Sequence, residues 1–265
     1  MHRARRRFGQ NFLHDRMIIQ QMIMAISPRA GESFLEIGPG QGALTRPLLD
    51  HGVQLTAIEI DRDLAAGLRR HPAAQAGQLQ VIEDDALTFP LAPLIDQANQ
   101  ALRIIGNLPY NLSTPLLFHL TAPTAGIRDL HVLLQREVVD RMAAAPGSKT
   151  YGRLSVMMQA RCQVEPLFDV HPGAFSPPPR VTSRFVRLVP HRERPLGDVD
   201  DDCLGQVVAR AFAQRRKTLR NALNGLLDAG AIEAADIDPA TRAEQVDLAG
   251  YGRLARILER QEFPD

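Results

Sequence analysis

The sequence predicts a doubly wound, mostly parallel α/β sheet of seven strands, followed by a small helical domain. Three observations predict it. From about residue 33, short apolar runs alternate with helix-compatible stretches, the pattern of repeated strand–helix–strand units. A glycine-rich turn, Gly38-Pro39-Gly40-Gln41-Gly42, directly follows the first of those runs. Beyond Pro190 the strand signal stops and a helical period takes over.

The elements follow in order. Strands are expected at 34–37, 54–60, 79–82, 103–105 and 130–134, with helices at 44–51, 62–70 and 114–120 between them. Two later apolar runs, 164–170 and 184–189, complete the sheet as a hairpin at one edge. Between them Phe175-Ser176-Pro177-Pro178-Pro179 is an extended loop, because three consecutive prolines forbid a helix. Near the N-terminus, residues 17–26 read as a capped amphipathic helix starting after Asp15. Gln20 and Gln21 interrupt the apolar run too early for a signal-peptide core. Residues 191–202 are polar, carry Pro195 and Gly197, and read as a linker. The expected division is therefore a catalytic domain over 1–190 and a helical domain over 191–265, the latter built on periodic stretches at 204–227 and 251–260.

Composition sets the outer bounds. With 265 residues, 45% hydrophobic and 23% charged, the chain can bury an ordinary core, which excludes a disordered protein. No stretch reaches membrane-spanning length. Cys162 and Cys203 show neither metal-ligand spacing nor a disulfide framework, so a reducing cytoplasm and no metal are expected. A net charge of +1 does not announce a nucleic-acid partner, but its distribution does. Arg3, Arg5, Arg6 and Arg7 open the chain; Arg215, Arg216 and Lys217, with Arg210 and Arg220, lie near its end. Two basic clusters flanking a base-binding motif suit contact with phosphates.

That motif is Gly106-Asn107-Leu108-Pro109-Tyr110, behind the apolar run of the fourth strand. The Asn107 amide oxygen can accept a hydrogen bond from an exocyclic amine. So can the Leu108 carbonyl, whose direction Pro109 restricts. The Tyr110 ring can stack on the same base. Together they form a grip for the amino group of adenine.

The glycine turn is the companion site. Glycines there let the backbone turn sharply and approach a ligand closely. Glu59 ends the next strand about twenty residues after Gly38, where a doubly wound fold holds ribose hydroxyls. The spacing is G-x-G-x-G rather than the dinucleotide G-x-G-x-x-G, which favours a nucleoside without pyrophosphate, such as S-adenosylmethionine, over a nicotinamide dinucleotide. Asp84 and Asp85 end the third strand at the same sheet edge. Either can accept from the donor's adenine amine; Asp85 is the favoured one.

Arg7-Phe8-Gly9-Gln10-Asn11-Phe12-Leu13, residues 36–42, residues 106–110, residues 175–183 and residues 214–221 occur in one order over nearly the whole chain. In these motifs the sequence resembles the bacterial small-subunit ribosomal RNA adenine dimethyltransferases of the KsgA/RsmA type. The resemblance implies a Rossmann-like class I methyltransferase fold and S-adenosylmethionine as donor. It implies as substrate two adjacent adenines in the hairpin loop near the 3′ end of 16S rRNA, within a small-subunit assembly particle. Carried over by position, donor contacts fall on Asn11, Leu13, Gly38, Gly40, Glu59, Asp85 and Asn107. The arm around Asn11 folds over the donor as a lid, and Phe175 faces Tyr110 across the target base. Arg5, Arg6, Arg7, Arg215, Arg216, Lys217 and Arg220 contact the RNA. A monomer is the default.

Two alternatives share part of this pattern. A 23S rRNA adenine methyltransferase of the antibiotic-resistance type has the same fold and asparagine motif, but residues 175–183 and 214–221 fit the small-subunit enzyme better. A non-catalytic RNA-binding factor would not need intact donor and acceptor motifs.

Overall fold

The computed structural model describes residues 10–98, 100–122 and 125–262; Arg5, Arg6 and Arg7 lie outside them. The chain falls into two compact units, one from Met1–Val139 with Glu165–Pro190, the other from Asp140–Val164 with His191–Asp265.

The first unit holds a seven-stranded sheet: β2 (Ser33–Ile37), β3 (Gln54–Ile58), β4 (Leu79–Ile82), β5 (Leu102–Asn107), β6 (Ile127–Gln135), β7 (Cys162–Val170) and β9 (Ser183–Pro190). Two short strands, β1 (Phe12–Leu13) and β8 (Phe175–Ser176), pair separately. The sheet order is β4-β3-β2-β5-β6-β9-β7. Strands β2 to β6 run parallel, while β9 is antiparallel to β6. β2 and β5 are buried almost throughout, which is why they read as continuous apolar runs rather than alternating ones. The chain winds outward from β2 through β3 to β4, then returns to β5 on the other flank of β2. That reversal opens a crevice at the C-terminal ends of β2 and β5, where sheets of this kind bind ligands.

The N-terminal helix α1 (Arg16–Ile26) starts as expected. The Asp15 carboxylate accepts from the Met17 and Ile18 amides at 2.9 and 3.2 Å, capping it. After β2 comes α2 (Thr45–Asp50), and after β3 comes α3 (Arg62–Arg69), capped by Asp61.

One buried feature of the sheet escapes sequence reading. Arg103, on β5, is 3% exposed, and its guanidinium grips Asp129 through Nε and Nη2, Glu32 through Nη1 and the Ile26 carbonyl through Nη2. The ion network closes the N-terminal ends of the central strands, and a guanidinium with this many acceptors is satisfied without water.

In the second unit residues 140–164 join the helices rather than the sheet domain expected over 1–190. The helix Arg153–Gln159 buries Ser155 to Met158, and Tyr151 packs edge-on to Phe212 while donating to the Val246 carbonyl at 3.0 Å. The expected helix at 204–227 is two, Asp201–Ala213 and Leu219–Ala222, because the backbone is extended at Thr218, which bridges to Arg242. Among the described residues no helix is long and apolar enough to cross a membrane.

Candidate active site

Ile37 and Gly106 are register partners in the parallel ladder of β2 and β5, so the glycine turn and Asn107 leave the sheet side by side. Gly106 has to be glycine: a Cβ there would stand 2.8 Å from the Ile37 carbonyl oxygen. The resulting cleft is walled by the arm (Gln10 to Leu13), the turn (Gly38 to Gln41), Glu59 with Ile60, and Asn107 to Tyr110. Most of the sequence-predicted donor and acceptor residues thus meet in one place.

The turn is built for close approach. Gly38 and Gly40 adopt φ of +62° and +57°, left-handed values that favour glycine. A Cβ on Gly40 would lie 3.2 Å from the Phe12 ring, so the arm sits directly on the turn. Glu59 is 4% exposed and braces it: its carboxylate accepts from the Gly40 amide at 3.0 Å and the Asp61 amide at 2.9 Å. Asp61 in turn accepts from the Gln10 side chain at 3.3 Å, anchoring the arm's start.

Glu36 also lines this cleft, beyond its place in the motif over residues 36–42. It is buried on β2 beside the cleft and accepts from Thr45 Oγ1 at 2.6 Å. Burial pushes its carboxyl pKa up to about 7; the Thr45 bond opposes the rise and the Glu59 charge adds to it. A carboxylate inside an apolar strand was the available signal.

The acceptor motif is held from several sides. The Asn107 Nδ2 donates to the Asn11 carbonyl at 2.8 Å. The Leu108 amide donates to the Leu133 carbonyl at 3.2 Å, fixing the turn to β6. Ser113 Oγ donates to the Pro109 and Tyr110 carbonyls, both at 3.1 Å. The Tyr110 hydroxyl is 2.5 Å from Ser183 Oγ, a fully buried residue on β9. Burial raises the Tyr110 pKa, with the Ser183 bond opposing.

One expectation does not match this geometry. Phe175 offers no ring face to the cleft: it is 2% exposed in the core, where it pairs with Leu13 across β1 and β8. Its apolar ring is satisfied there, so it acts as an anchor for the arm. Asp85, beyond the end of β4, is half-buried and its carboxylate accepts from the Leu87 amide at 3.0 Å, while Asp84 is exposed. Arg215 is exposed and donates to the Lys149 and Tyr151 carbonyls at 2.9 and 3.1 Å. Arg216, Lys217 and Arg220 are exposed.

Comparison with known proteins agrees with this arrangement. A family model described as ribosomal RNA adenine dimethylase matches residues 1–260. The chain is 54% identical to the ribosomal RNA small subunit methyltransferase A of Pseudomonas putida, covering 98% of this chain and 97% of that protein. It is 49% identical to the protein of that name from Escherichia coli, covering 97% and 94%. Among solved structures, a dimethyladenosine transferase from Plasmodium falciparum is similar with a TM-score of 0.78 at 25% identity, covering 95% and 98%. The 23S rRNA methyltransferase ErmE shares the fold, with a TM-score of 0.70 at 24% identity, covering 94% of this chain and all of that one. A Rossmann-like methyltransferase fold, a glycine turn and an asparagine grip at one switch point, and matches running nearly end to end place the chain in the ribosomal RNA adenine dimethylase family.

Proposed function

We propose that the protein dimethylates the N6 amines of two adjacent adenines in the hairpin loop near the 3′ end of 16S rRNA. S-adenosylmethionine is the donor, and a small-subunit assembly particle in the cytoplasm is the substrate. The names of the curated relatives support the choice of subunit. The observation that carries the chemistry is the orientation of the Asn107 amide. The Asn11 carbonyl can only accept, so the group facing it at 2.8 Å must be the Asn107 NH2, which leaves Oδ1 as the acceptor.

The cleft suits a nucleoside donor. A Cβ at Gly40 would press within 3.2 Å of the Phe12 ring and φ there is +57°, so glycine keeps the turn bare where a ligand must come close. Ile60 is 45% exposed at the rim and offers an apolar face, while Glu59 supplies carboxylate acceptors for hydroxyls. When bound, the donor supplies an electrophilic methyl on a sulfonium.

The chain's own residues do the rest. The N6 lone pair of adenine is delocalised into the ring and is a poor nucleophile. Hydrogen bonds from its N–H groups to Asn107 Oδ1 and the Leu108 carbonyl favour pyramidalisation and turn the lone pair toward the methyl. In-line displacement then depends on proximity and orientation. The target base is unstacked and inserted, and stacking on Tyr110 offsets about 1–3 kcal/mol of that cost. The extra proton leaves after transfer, when the substituted amine is acidic.

Labelled methyl transfer to unmodified small subunits, large subunits and free 16S rRNA tests the reading. Label is expected on small-subunit material; label on large subunits alone, or nowhere, overturns it.

A further inference from the structure

A second groove opens beside the cleft, between α1 and α2, and shares Leu13, Gln41 and Ala43 with it. Its floor is apolar, with Ile19 and Ile23 from α1 and Pro47 from α2. Arg16 and Arg46 line it, and both are exposed. Neither has a carboxylate partner among the described residues, whereas Arg69, Arg128, Arg161 and Arg194 each have one. Asp15, next to Arg16, accepts from the α1 amides, and Asp50, one turn along α2 from Arg46, makes no ion pair with it among the described residues.

Helix stability does not explain these two cations. Arg16 is the first residue of α1 and Arg46 the second of α2, the positive ends of both helices, where a cation is disfavoured. Arg46 lies against the glycine turn: a Cβ on Gly42 would be 3.7 Å from its Nε. Two unpaired guanidiniums over an apolar floor, continuous with the methyl-transfer cleft, match the chemistry of a single strand of RNA. Guanidiniums take phosphates as planar forks, and apolar surface takes ribose and base faces.

We propose that this groove holds the sugar–phosphate backbone of the substrate strand next to the target adenine, with Arg16 and Arg46 each holding a phosphate. The proposal rests on the RNA-methyltransferase reading above and adds a site to it. Sequence inspection misses it because the two arginines stand thirty residues apart, outside both basic clusters.

The test is the salt dependence of binding to unmethylated small subunits, for the wild type and the Arg16→Gln/Arg46→Gln double variant. Losing two single-strand phosphate contacts lowers the slope of log affinity against log salt by about 1.4. Between 50 and 200 mM salt, the wild type should therefore lose about sevenfold more affinity than the variant does. Arg16→Lys/Arg46→Lys should restore most of the slope, which a merely misfolded double variant could not explain. An unchanged slope in the glutamine variant sinks the groove alone. Failure of the wild type to bind these particles at all sinks the substrate reading and the groove with it.

Discussion

The side-chain amide of Asn107 donates to the main-chain carbonyl of Asn11 at 2.8 Å, joining residues 96 positions apart. One end of this bond belongs to the arm over the glycine turn, the other to the grip for the target amine. The arm's main chain thereby sets which face of the Asn107 amide meets the substrate. Gln10, bonded to Asp61, and Leu13, paired with Phe175, hold the arm on either side of the contact.

Replacing Asn107 should therefore damage two things at once. Asn107→Ala removes the N6 acceptor and is expected to cost about 10²-fold or more in turnover. It also removes the arm's anchor, worth about 0.5–1.5 kcal/mol for a typical hydrogen bond. Asn107→Asp keeps an acceptor for the substrate but sets a carboxylate oxygen against the Asn11 carbonyl. Hydrogen exchange over residues 10–13 should be faster in the aspartate variant than in the alanine variant. Equal protection in both and in the wild type would detach the arm from Asn107.

The segment from Phe175 to Ser183 ties the two halves of the site together. At one end Phe175 and Ser176 pair with Leu13 and Phe12; at the other Ser183 holds the Tyr110 hydroxyl. Ser183 is fully buried, so Tyr110→Phe leaves its hydroxyl without that partner, at a cost of about 1–3 kcal/mol. Ser183→Ala strands the Tyr110 hydroxyl in the same way. Each single variant should lower kcat/KM for RNA, and the double variant should be no worse than the worse single. The coupling in this cycle should be about 1 kcal/mol or more. Additive losses would show that Ser183 does not position the ring.

The fold and most of the site were legible because both rest on local pattern. Apolar runs β2 to β6, the glycine turn and the asparagine turn each carry their signal within a few residues, and topology alone brings them to one crevice. What stayed hidden depends on contacts between distant positions. Nothing near Phe175 says that its ring packs inward with Leu13, since an aromatic beside prolines serves equally as an anchor or a stacking face. The same holds for the Arg215 bonds to the Lys149 and Tyr151 carbonyls, which lie 66 and 64 positions away. Arg103 carries no local signal of its network either, because its partners Glu32 and Asp129 come from distant parts of the chain.

Glu36 makes stability depend on pH. Its carboxyl pKa is raised to about 7 in the folded protein from 4.5, so the folded state holds its proton where the unfolded chain releases it. Its favourable contribution is complete below about pH 4.5 and is lost as pH rises through 7, a swing of about 3 kcal/mol. Glu36→Gln cannot ionise and keeps an acceptor for Thr45. The variant should gain stability relative to the wild type between pH 5 and 8, read as diverging unfolding midpoints. Parallel curves would show that Glu36 does not titrate in this range.

Arg103 should matter for stability and not for the chemistry, because its network sits at the strand ends opposite Asn107. Arg103→Met leaves both carboxylates buried with weaker partners: Glu32 keeps the half-exposed Arg128 and the Arg29 amide, and Asp129 keeps the longer contacts to His131 and Arg187 at 3.7 and 3.6 Å. Removing one partner from a buried ion pair costs about 3–5 kcal/mol. Burial by itself would raise the Asp129 pKa, yet it is held low, by the His131 ring and by Arg103. His131 Nδ1 is 3.7 Å away, beyond hydrogen-bond length, so the two-pronged Arg103 contact is the stronger cause. A lowered folded pKa contributes stability that is present above the unfolded value and is lost as pH falls. The penalty of Arg103→Met should thus be largest near neutrality and shrink below about pH 4, where the unfolded carboxylates take up protons. Denaturant midpoints of variant and wild type at pH 7 and pH 3.5 measure this directly. A penalty that stays constant across that range would mean that lost packing, and not unpaired charge, destabilises the variant.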